Sequence, residues 1–264
     1  MSSPSYPTSI GHSDAESITL LGHDLAGELM GQVGFAELAF WLVASRRPST
    51  AELRLFEAVL VALADHGLTP SAIAARLTLT GAPESVQGAL AAGLLGGGSR
   101  FLGVTEDCGR FLAAAIAAVD GPLPADESDW DEVARAAVAR QRESGHFVPG
   151  LGHPVHKSGD PRTPVIYRIA VDSEVLGPHL RLFAAVGRVH PALLGRTLPL
   201  NGAGVCGAAL ADLGFPVDTL RGFALLARTA GLLGHLAEEQ RRPIGPAVYD
   251  DVERSADYRP AARG

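Results

Sequence analysis

The sequence predicts an all-α protein, and three observations favour this class. Alanine, leucine and glycine are abundant while aromatic residues make up only 6% of the chain, which suits closely packed helices better than a β-sandwich. Apolar residues recur at helical spacing along most of the sequence. The period-two alternation of β-branched residues that marks half-buried strands is missing.

Composition argues against several kinds of function. The formal net charge of −7 disfavours a nucleic-acid surface, because phosphate binding relies on a cationic field. The two cysteines, Cys108 and Cys206, are too few for a disulfide framework. No apolar run reaches the roughly 20 residues of a membrane span, and residues 1–7 lack the order of a signal peptide. We therefore expect a cytoplasmic protein that binds neither nucleic acid nor membrane.

The first predicted helices follow recognisable start signals. Ser49 offers an N-cap hydroxyl ahead of apolar residues at helical spacing, and Gly67 is a natural end for that helix. Pro70 and Pro83 lie where proline suits a first helical turn. The glycine run at 96–98 then predicts a break in the helical pattern.

The later helices are predicted from alanine-rich and amphipathic stretches. An alanine-rich helix covers Phe111–Val119, and Asp126–Ser128 precede the next one. Further helices fit residues 161–174, 178–195, 201–213 and 217–241.

The glycine run and the stretch Thr197–Pro199 bracket a candidate inserted domain. We predict two domains between flexible tails. Their bounds are 1–15 for the first tail, 16–104 plus 199–248 for a large helical domain, 105–198 for a smaller domain, and 249–264 for the C-terminal tail.

The loop Gly150–Arg162 holds the densest set of chemically useful residues. It places two histidines, Lys157 and an arginine among glycines and prolines, and such a backbone can approach a ligand closely. His153 lies between Gly152 and Pro154, where packing gives it no clear purpose. The implied ligand is a small molecule with several negative charges. The alternative is a loop whose charges only face solvent.

Two more cationic residues stand out from apolar surroundings. His66 follows a strongly amphipathic helix, where it acts as a ligand or only as a favourable cation at the helix C-terminus. Arg228 lies inside an apolar helix, and burying its charge is costly unless an anion or an internal carboxylate pairs with it. His153 and His156 have the spacing of metal ligands, but no third residue in the sequence obviously completes a set, so no metal is predicted.

The order of these motifs resembles the citrate synthase superfamily from about residue 18 to 246. The resemblance is greatest to its citryl-CoA lyase branch, including the lyase module of ATP citrate lyase. The motifs that carry it are Asp65-His66-Gly67, Ser99-Arg100-Phe101, Gly150-Leu151-Gly152-His153, Asp160-Pro161-Arg162, Asn201-Gly202-Ala203-Gly204, and Arg228 followed by Gly231 and Gly234-His235.

The resemblance implies an all-helical homodimer whose large domain and smaller, coenzyme A (CoA)-side domain enclose an active site. It implies catalytic roles for His66 and His153 on the hydroxyl and carboxylates of citrate or oxaloacetate. The substrate-binding residues that it implies are Arg100, Phe101, Arg162 and Arg228, together with Arg241 or, alternatively, Arg242, which would reach the partner subunit's site. The CoA-binding residues that it implies are Gly150, Gly152 and Lys157.

Two departures from the family pattern bear on the reaction. Phe101 stands where synthases place a histidine, and the lyase branch shares an aromatic there. Ala203 stands where the family places the aspartate that moves the acetyl methyl proton, and a general acid or base of this kind contributes about 10²- to 10⁴-fold in rate. Glu106 and Asp107 are the nearest candidates for a displaced acid.

The expected function is cleavage of citryl-CoA, or of a related hydroxyacyl-CoA, to oxaloacetate and acetyl-CoA by a retro-aldol (Claisen-type) reaction. The CoA thioester is then a substrate, and no separate cofactor is expected. Two alternatives stay open because of Ala203. One is a synthase-type condensation with another acyl-CoA or 2-oxoacid, and the other is a non-catalytic homologue that binds a di- or tricarboxylate.

Overall fold

The computed structural model describes residues 5–261, and α-helices make up most of this part of the chain. The all-α prediction is confirmed. In chain order the helices are α1 (Phe35–Ala44), α2 (Thr50–Ala64), α3 (Pro70–Gly81), α4 (Val86–Leu102), α5 (Val104–Ala117), α6 (Glu127–Glu143), α7 (Arg162–Asp172), α8 (Pro178–Leu194), α9 (Gly202–Asp212), α10 (Leu220–Arg241) and α11 (Gly245–Arg254). Within the described residues, no helix is both long and apolar enough to cross a lipid bilayer.

A small antiparallel sheet near the N-terminus was not predicted. Its strands are β1 (Gly11–Ser13), β2 (Ile18–Leu20) and β3 (His23–Asp24), hydrogen-bonded in that order. Leu21 and Gly22 join β2 to β3 with φ angles of 52° and 83°, as a two-residue hairpin turn with two left-handed residues requires. A π-helical turn over Leu25–Leu29 follows.

The prediction of two flexible tails is therefore wrong in part. Strand β1 occupies the end of the tail predicted at 1–15, where the Asp14 side chain accepts hydrogen bonds from the amides of Glu16 and Ser17 and turns the chain back. Helix α11 runs five residues past Tyr249, into the predicted C-terminal tail. Residues 1–4 and 262–264 of those tails lie outside the described part of the chain.

Most helix boundaries follow the local signals. Ser49 caps α2 by accepting from the Glu52 amide, while the Glu52 carboxylate accepts from the Ser49 amide. The predicted break at the glycine run is a kink inside α4, where Gly98 has φ 51° and ψ −165°. Helix α5 begins at Val104, seven residues earlier than the predicted Phe111.

One large hydrophobic core holds most of the helices together. Its aromatic centre joins Phe40, Phe56, Phe215 and Phe223, with ring centroids 4.3 Å apart for the last two. The same core includes Leu112 and Phe183, so it crosses the predicted boundary between the large and small domains. A second, smaller core between α3, α4 and the end of α10 contains Ala75, Leu79, Ala89, Leu232 and Leu236. The two-domain division stays a prediction.

Two glycines let helices approach where the site is built. A β-carbon on Gly207 of α9 would lie 2.1 Å from the Thr105 carbonyl oxygen of α5. One on Gly231 of α10 would lie 2.0 Å from the carbonyl oxygen of Ala64, the last residue of α2. Neither distance is tolerable for a larger residue, so glycine is needed at both crossings.

Candidate active site

A cavity of about 650 Å³ opens where α2, α4, α5, α7, α9 and α10 converge. Its lining brings together residues that are far apart in the sequence, from Leu63 to Arg228. The sequence-predicted site residues that line it are His66, Arg100, Phe101, Gly150, Gly152, His153, Arg162 and Arg228, and Ala203 lies among them.

Two predicted site residues do not line this cavity. Lys157 is exposed at the outer part of its loop, and Arg241 is exposed as the last residue of α10. A cavity-lining role for either within this chain is not supported by their positions.

Backbone hydrogen bonds hold the glycine-rich loop in place. Gly150 and Gly152 have φ angles of 83° and 84°, which favour glycine. A β-carbon on Gly150 would also lie 2.7 Å from the Phe183 ring. The Asn201 side chain donates to the Gly152 carbonyl oxygen at 2.8 Å, and the Asn201 amide donates to the Gly150 carbonyl oxygen at 2.9 Å. These bonds tie the loop to the start of α9.

The hydrogen bonds of His153 fix the position of its ring proton. Its Nδ1 accepts from the amides of Val155 at 3.1 Å and His156 at 3.0 Å, so a proton on Nδ1 would face two other donors. Burial and then the positive charges around it lower the pKa of His153, although Asp160 opposes this. His153 is therefore neutral at pH 7, with its proton on Nε2, and can donate that proton to a substrate oxygen.

Three imidazoles meet at the cavity wall, which the sequence spacing did not reveal. The rings of His153 and His156 stack with centroids 4.5 Å apart, and the His66 ring lies 5.1 Å from His153. Ring nitrogens of the three residues come within 4.8 Å of one another, as in a metal site. The statement that no third residue completes the set is therefore wrong.

Two features of this cluster nevertheless disfavour a metal ion. A neutral histidine binds metal through an unprotonated nitrogen, and the backbone amides at Nδ1 of His153 leave only the protonated Nε2 facing outward. Arg100, Arg162 and Arg228 also line the cavity and repel a dication. The absence of a metal stays a prediction that this chemistry favours.

Arg162 is held by a buried carboxylate in its own motif. Its Nε and Nη2 donate to the two oxygens of Asp160 at 2.9 and 2.7 Å, and its Nη1 donates to the Ala62 carbonyl oxygen. Burial alone would raise the pKa of Asp160, but the bonds from Arg162 and from the Gly202 amide hold it well below its usual range. The pair fixes the guanidinium at the start of α7 and leaves part of it available to a ligand.

Arg228 combines both roles that the sequence left open. Its Nη1 lies 3.3 Å from Oδ1 of Asp65, so it has an internal carboxylate partner. Its Nε is buried without a hydrogen-bond partner among the described residues, while the side chain lines the cavity. Burial lowers the pKa of Arg228, and Asp65 offsets part of that effect. An unpartnered buried N–H costs about 1–3 kcal/mol, which a bound anion would recover.

The sequence analysis missed the roles of three polar residues that hold the site together. The sequence analysis quoted Asp65, Asp160 and Asn201 only as parts of longer motifs and gave them no role. In the structure Asp65 orients Arg228, Asp160 orients Arg162, and Asn201 holds the glycine-rich loop. Only their adjacency to His66, Arg162 and Ala203 in the sequence pointed to them.

The position of the missing aspartate is occupied by a half-buried methyl group. Ala203 lies in the first turn of α9 and lines the cavity. Glu106 is committed to ion pairs with Arg110 and Arg221. Asp107 lines the cavity, and its side chain has no hydrogen bond or ion pair within residues 5–261, so its carboxylate is free to act on a ligand.

The fold and the cavity define an all-helical protein with an anion-binding cleft, and comparison with known proteins gives its class. The sequence model of the family described as "Citrate synthase, C-terminal domain" matches residues 10–247. The chain belongs to the citrate synthase family, as its ordered motifs predicted.

Individual relatives narrow the resemblance to one branch. The structure of citryl-CoA lyase from Hydrogenobacter thermophilus is 28% identical, with a TM-score of 0.84, and the match covers 98% of this chain and 96% of that one. A Methanosaeta concilii ATP citrate lyase (D541A mutant), in complex with (3S)-citryl-CoA, has a TM-score of 0.77 at 23% identity; the match covers 99% of this chain but 43% of that one. The predicted similarity to the citryl-CoA lyase branch is confirmed.

Curated relatives are longer than this chain. A Caenorhabditis elegans protein named "Probable ATP-citrate synthase" is 23% identical over 268 residues, which cover 94% of this chain. The chain therefore spans only 23% of that relative's length.

Proposed function

We propose that this protein cleaves citryl-CoA, or a closely related hydroxyacyl-CoA, to oxaloacetate and acetyl-CoA. The observation that carries the proposal is the convergence of His66, His153, Arg162 and Arg228 on one cavity. The similarity to a citryl-CoA lyase covers nearly the full length of both chains, and it supports this reaction over others on the same fold.

Arg162 and Arg228 would bind the carboxylates. Guanidinium groups recognise carboxylates by paired hydrogen bonds, and Asp160 and Asp65 hold these two in fixed orientations. The unpartnered Nε of Arg228 is a ready donor to such a ligand. Arg100 and Phe101, both exposed at the cavity wall, would contact the part of the substrate nearer the thioester.

The histidines would handle the hydroxyl group. Nε2–H of His153 would donate to the hydroxyl oxygen and stabilise the alkoxide as it forms. His66 has no side-chain hydrogen bond among residues 5–261 and would accept the hydroxyl proton. His153 is not suited to take that proton itself, because its Nδ1 already accepts two backbone hydrogen bonds.

Bond cleavage then follows without any oxidant or further reactant. The alkoxide electron pair forms the carbonyl of oxaloacetate, the neighbouring carbon–carbon bond breaks, and its electrons pass to the thioester as an enolate. A proton delivered to the enolate carbon gives acetyl-CoA. Because Ala203 cannot deliver it, Asp107 is our candidate for the group that exchanges this proton with water.

The CoA side of the site and the assembly are also proposals. Gly150, which is buried, and Gly152, which is half-buried, both line the cavity, and Lys157 lies exposed on the outer part of the same loop, where it could meet a phosphate of CoA. A homodimer, to which Arg241 would contribute across subunits, is supported by Tyr249 and Val252, which are exposed and one turn apart on α11. Cytoplasmic location stays a prediction from the sequence.

One assay distinguishes the proposed reaction from its alternatives. Purified protein is mixed with citryl-CoA, and oxaloacetate is followed by the loss of NADH through malate dehydrogenase; we expect turnover that His66→Asn abolishes. The matched control is His12→Gln, which alters an exposed histidine of β1. Citrate binding without turnover would support the non-catalytic alternative. Condensation of an acyl-CoA with a 2-oxoacid, but no cleavage, would support the synthase alternative.

A further inference from the structure

A chain of charged and polar groups runs behind the cavity from α3 to Arg228. Arg76 of α3 is 2% exposed and pairs with the Glu238 and Glu239 carboxylates of α10. It also donates from Nε to Nδ1 of His235 at 3.1 Å. Nε2 of His235 then lies 2.9 Å from Oδ1 of Asp65, the oxygen that also accepts from Arg228.

Arg76 dictates which nitrogen of His235 carries the proton. A guanidinium is always protonated and can only donate, so Nδ1 of His235 must offer its lone pair. In the neutral ring the proton therefore lies on Nε2, where it is donated to Asp65. The His235 side chain is 11% exposed, and this double contact holds the ring in one orientation.

Asp65 receives three hydrogen bonds that fix the cavity wall. Beyond His235 and Arg228, its Oδ2 accepts from the Gly67 amide at 2.7 Å, which shapes the turn that presents His66. Burial alone would raise the pKa of Asp65, but the Gly67 amide and His235 bring it below its ordinary value. The carboxylate is therefore ionised and aimed, with one oxygen on Arg228.

We propose that His235 is a positioning residue for substrate binding. Held by Arg76 in its Nε2–H form, it orients Asp65, which in turn aims Arg228 and His66 into the cavity. His235 does not line the cavity itself and touches no reacting atom. The inference rests on the proposed function in so far as the ligand is a polycarboxylate.

The test compares two substitutions at His235. His235→Leu removes both hydrogen bonds, whereas His235→Gln keeps a donor at the position of Nε2. We expect the Leu variant to weaken citrate binding, measured by calorimetry, and to raise KM for citryl-CoA. Both effects should be on the order of tenfold or more, with a smaller change in kcat. The Gln variant should recover most of the loss.

His179 offers a matched control elsewhere in the molecule. Its Nδ1 lies 2.9 Å from Oδ1 of Asp212, and its side chain is 17% exposed, so it is also a largely buried histidine that contacts an aspartate, although Asp212 is buried and Asp65 is not. Asp212 accepts from backbone amides at the start of α8, remote from the cavity lining. His179→Leu should lower the melting temperature as much as His235→Leu does and leave citrate affinity and KM unchanged.

Two results would overturn the inference. One is equal citrate affinity in His235→Leu and His179→Leu. The other, measured on the unaltered protein by nitrogen NMR of the histidine rings, is a proton on Nδ1 of His235; this measurement applies even if the Leu variant does not fold. If the unaltered protein binds citrate but does not cleave citryl-CoA, the proposed reaction fails and the affinity test still stands. If it does not bind citrate, the proposed function fails, and the NMR measurement of the His235 ring then tests the inference about His235 by itself.

Discussion

At the scale of single residues, Ala203 decides how the proposed reaction handles its last proton. We predict that Ala203→Asp speeds citryl-CoA cleavage, because a carboxylate in the first turn of α9 would face the cavity. The gain should approach the order of 10²-fold if enolate protonation limits the rate. Ala203→Asn has nearly the same size and no titratable group, so it should give no gain. Equal rates for the two variants would show that another step is limiting.

The Asp160–Arg162 pair should make stability depend on acid pH. Because folding lowers the pKa of Asp160, its contribution is complete above the unfolded value of about 4 and is lost as pH falls through the folded value. Asp160→Asn should cost about 3 kcal/mol in the free energy of unfolding at pH 7, since Arg162 loses its partner.

Urea unfolding at pH 7, 5 and 3 tests this dependence. The difference in free energy of unfolding between the unaltered protein and Asp160→Asn should be constant from pH 7 to 5 and smaller at pH 3. Asp172→Asn, at an exposed position near the end of α7, should cost nothing measurable. A difference that grows on acidification contradicts the assignment.

At the scale of elements, the kink of α4 depends on one glycine. Gly98 has φ 51° and ψ −165°, a conformation that costs other residues about 1–3 kcal/mol. Gly98→Ala should lower the free energy of unfolding by that amount and disturb Arg100 and Phe101, which follow the kink into the cavity. Gly222→Ala, in the first turn of α10 with open space around it, should stabilise the protein slightly. Chemical denaturation of both variants measures the contrast.

The same elements show how far the sequence could lead. Caps and prolines predicted α2 and α3 because they act within a few residues of the helix start. The strands were missed because three-residue strands carry too little pattern, and the turn at Leu21-Gly22 places a leucine where glycine or asparagine is usual. The predicted start of α5 was too late because Val104–Arg110, ahead of the alanine-rich half of the helix, contains two acids and a glycine.

The sequence likewise predicted some residues of the candidate site but not the contacts between them. We identified His66, His153, Arg162 and Arg228 from the sequence because a polar or charged residue among apolar or glycine-rich neighbours is costly without a use. Their partners could not be found in this way. The contacts of Asp65 with Arg228 and of His66 with His156 join residues far apart in sequence, and only the packing of α2 against α10 and the loop creates them.

At the scale of the whole molecule, the continuous core predicts one unfolding event. Trp41 lies in α1 and Trp130 in α6, on opposite sides of the predicted domain boundary, and both are buried in the folded protein. Variants with one tryptophan each, Trp130→Phe and Trp41→Phe, should therefore show coincident urea transitions by fluorescence. Separate midpoints would mean that 105–198 unfolds independently, as a weakly attached domain would.

The most direct test of the account is whether the cavity binds a polycarboxylate through Arg228. Isothermal titration calorimetry with citrate should give one site per chain, and Arg228→Gln should weaken the affinity about 10- to 100-fold, as expected for losing charged hydrogen bonds. Arg181→Gln, at an exposed position on α8, should leave it unchanged. Equal affinity in the two variants, or no binding by the unaltered protein, would contradict the account.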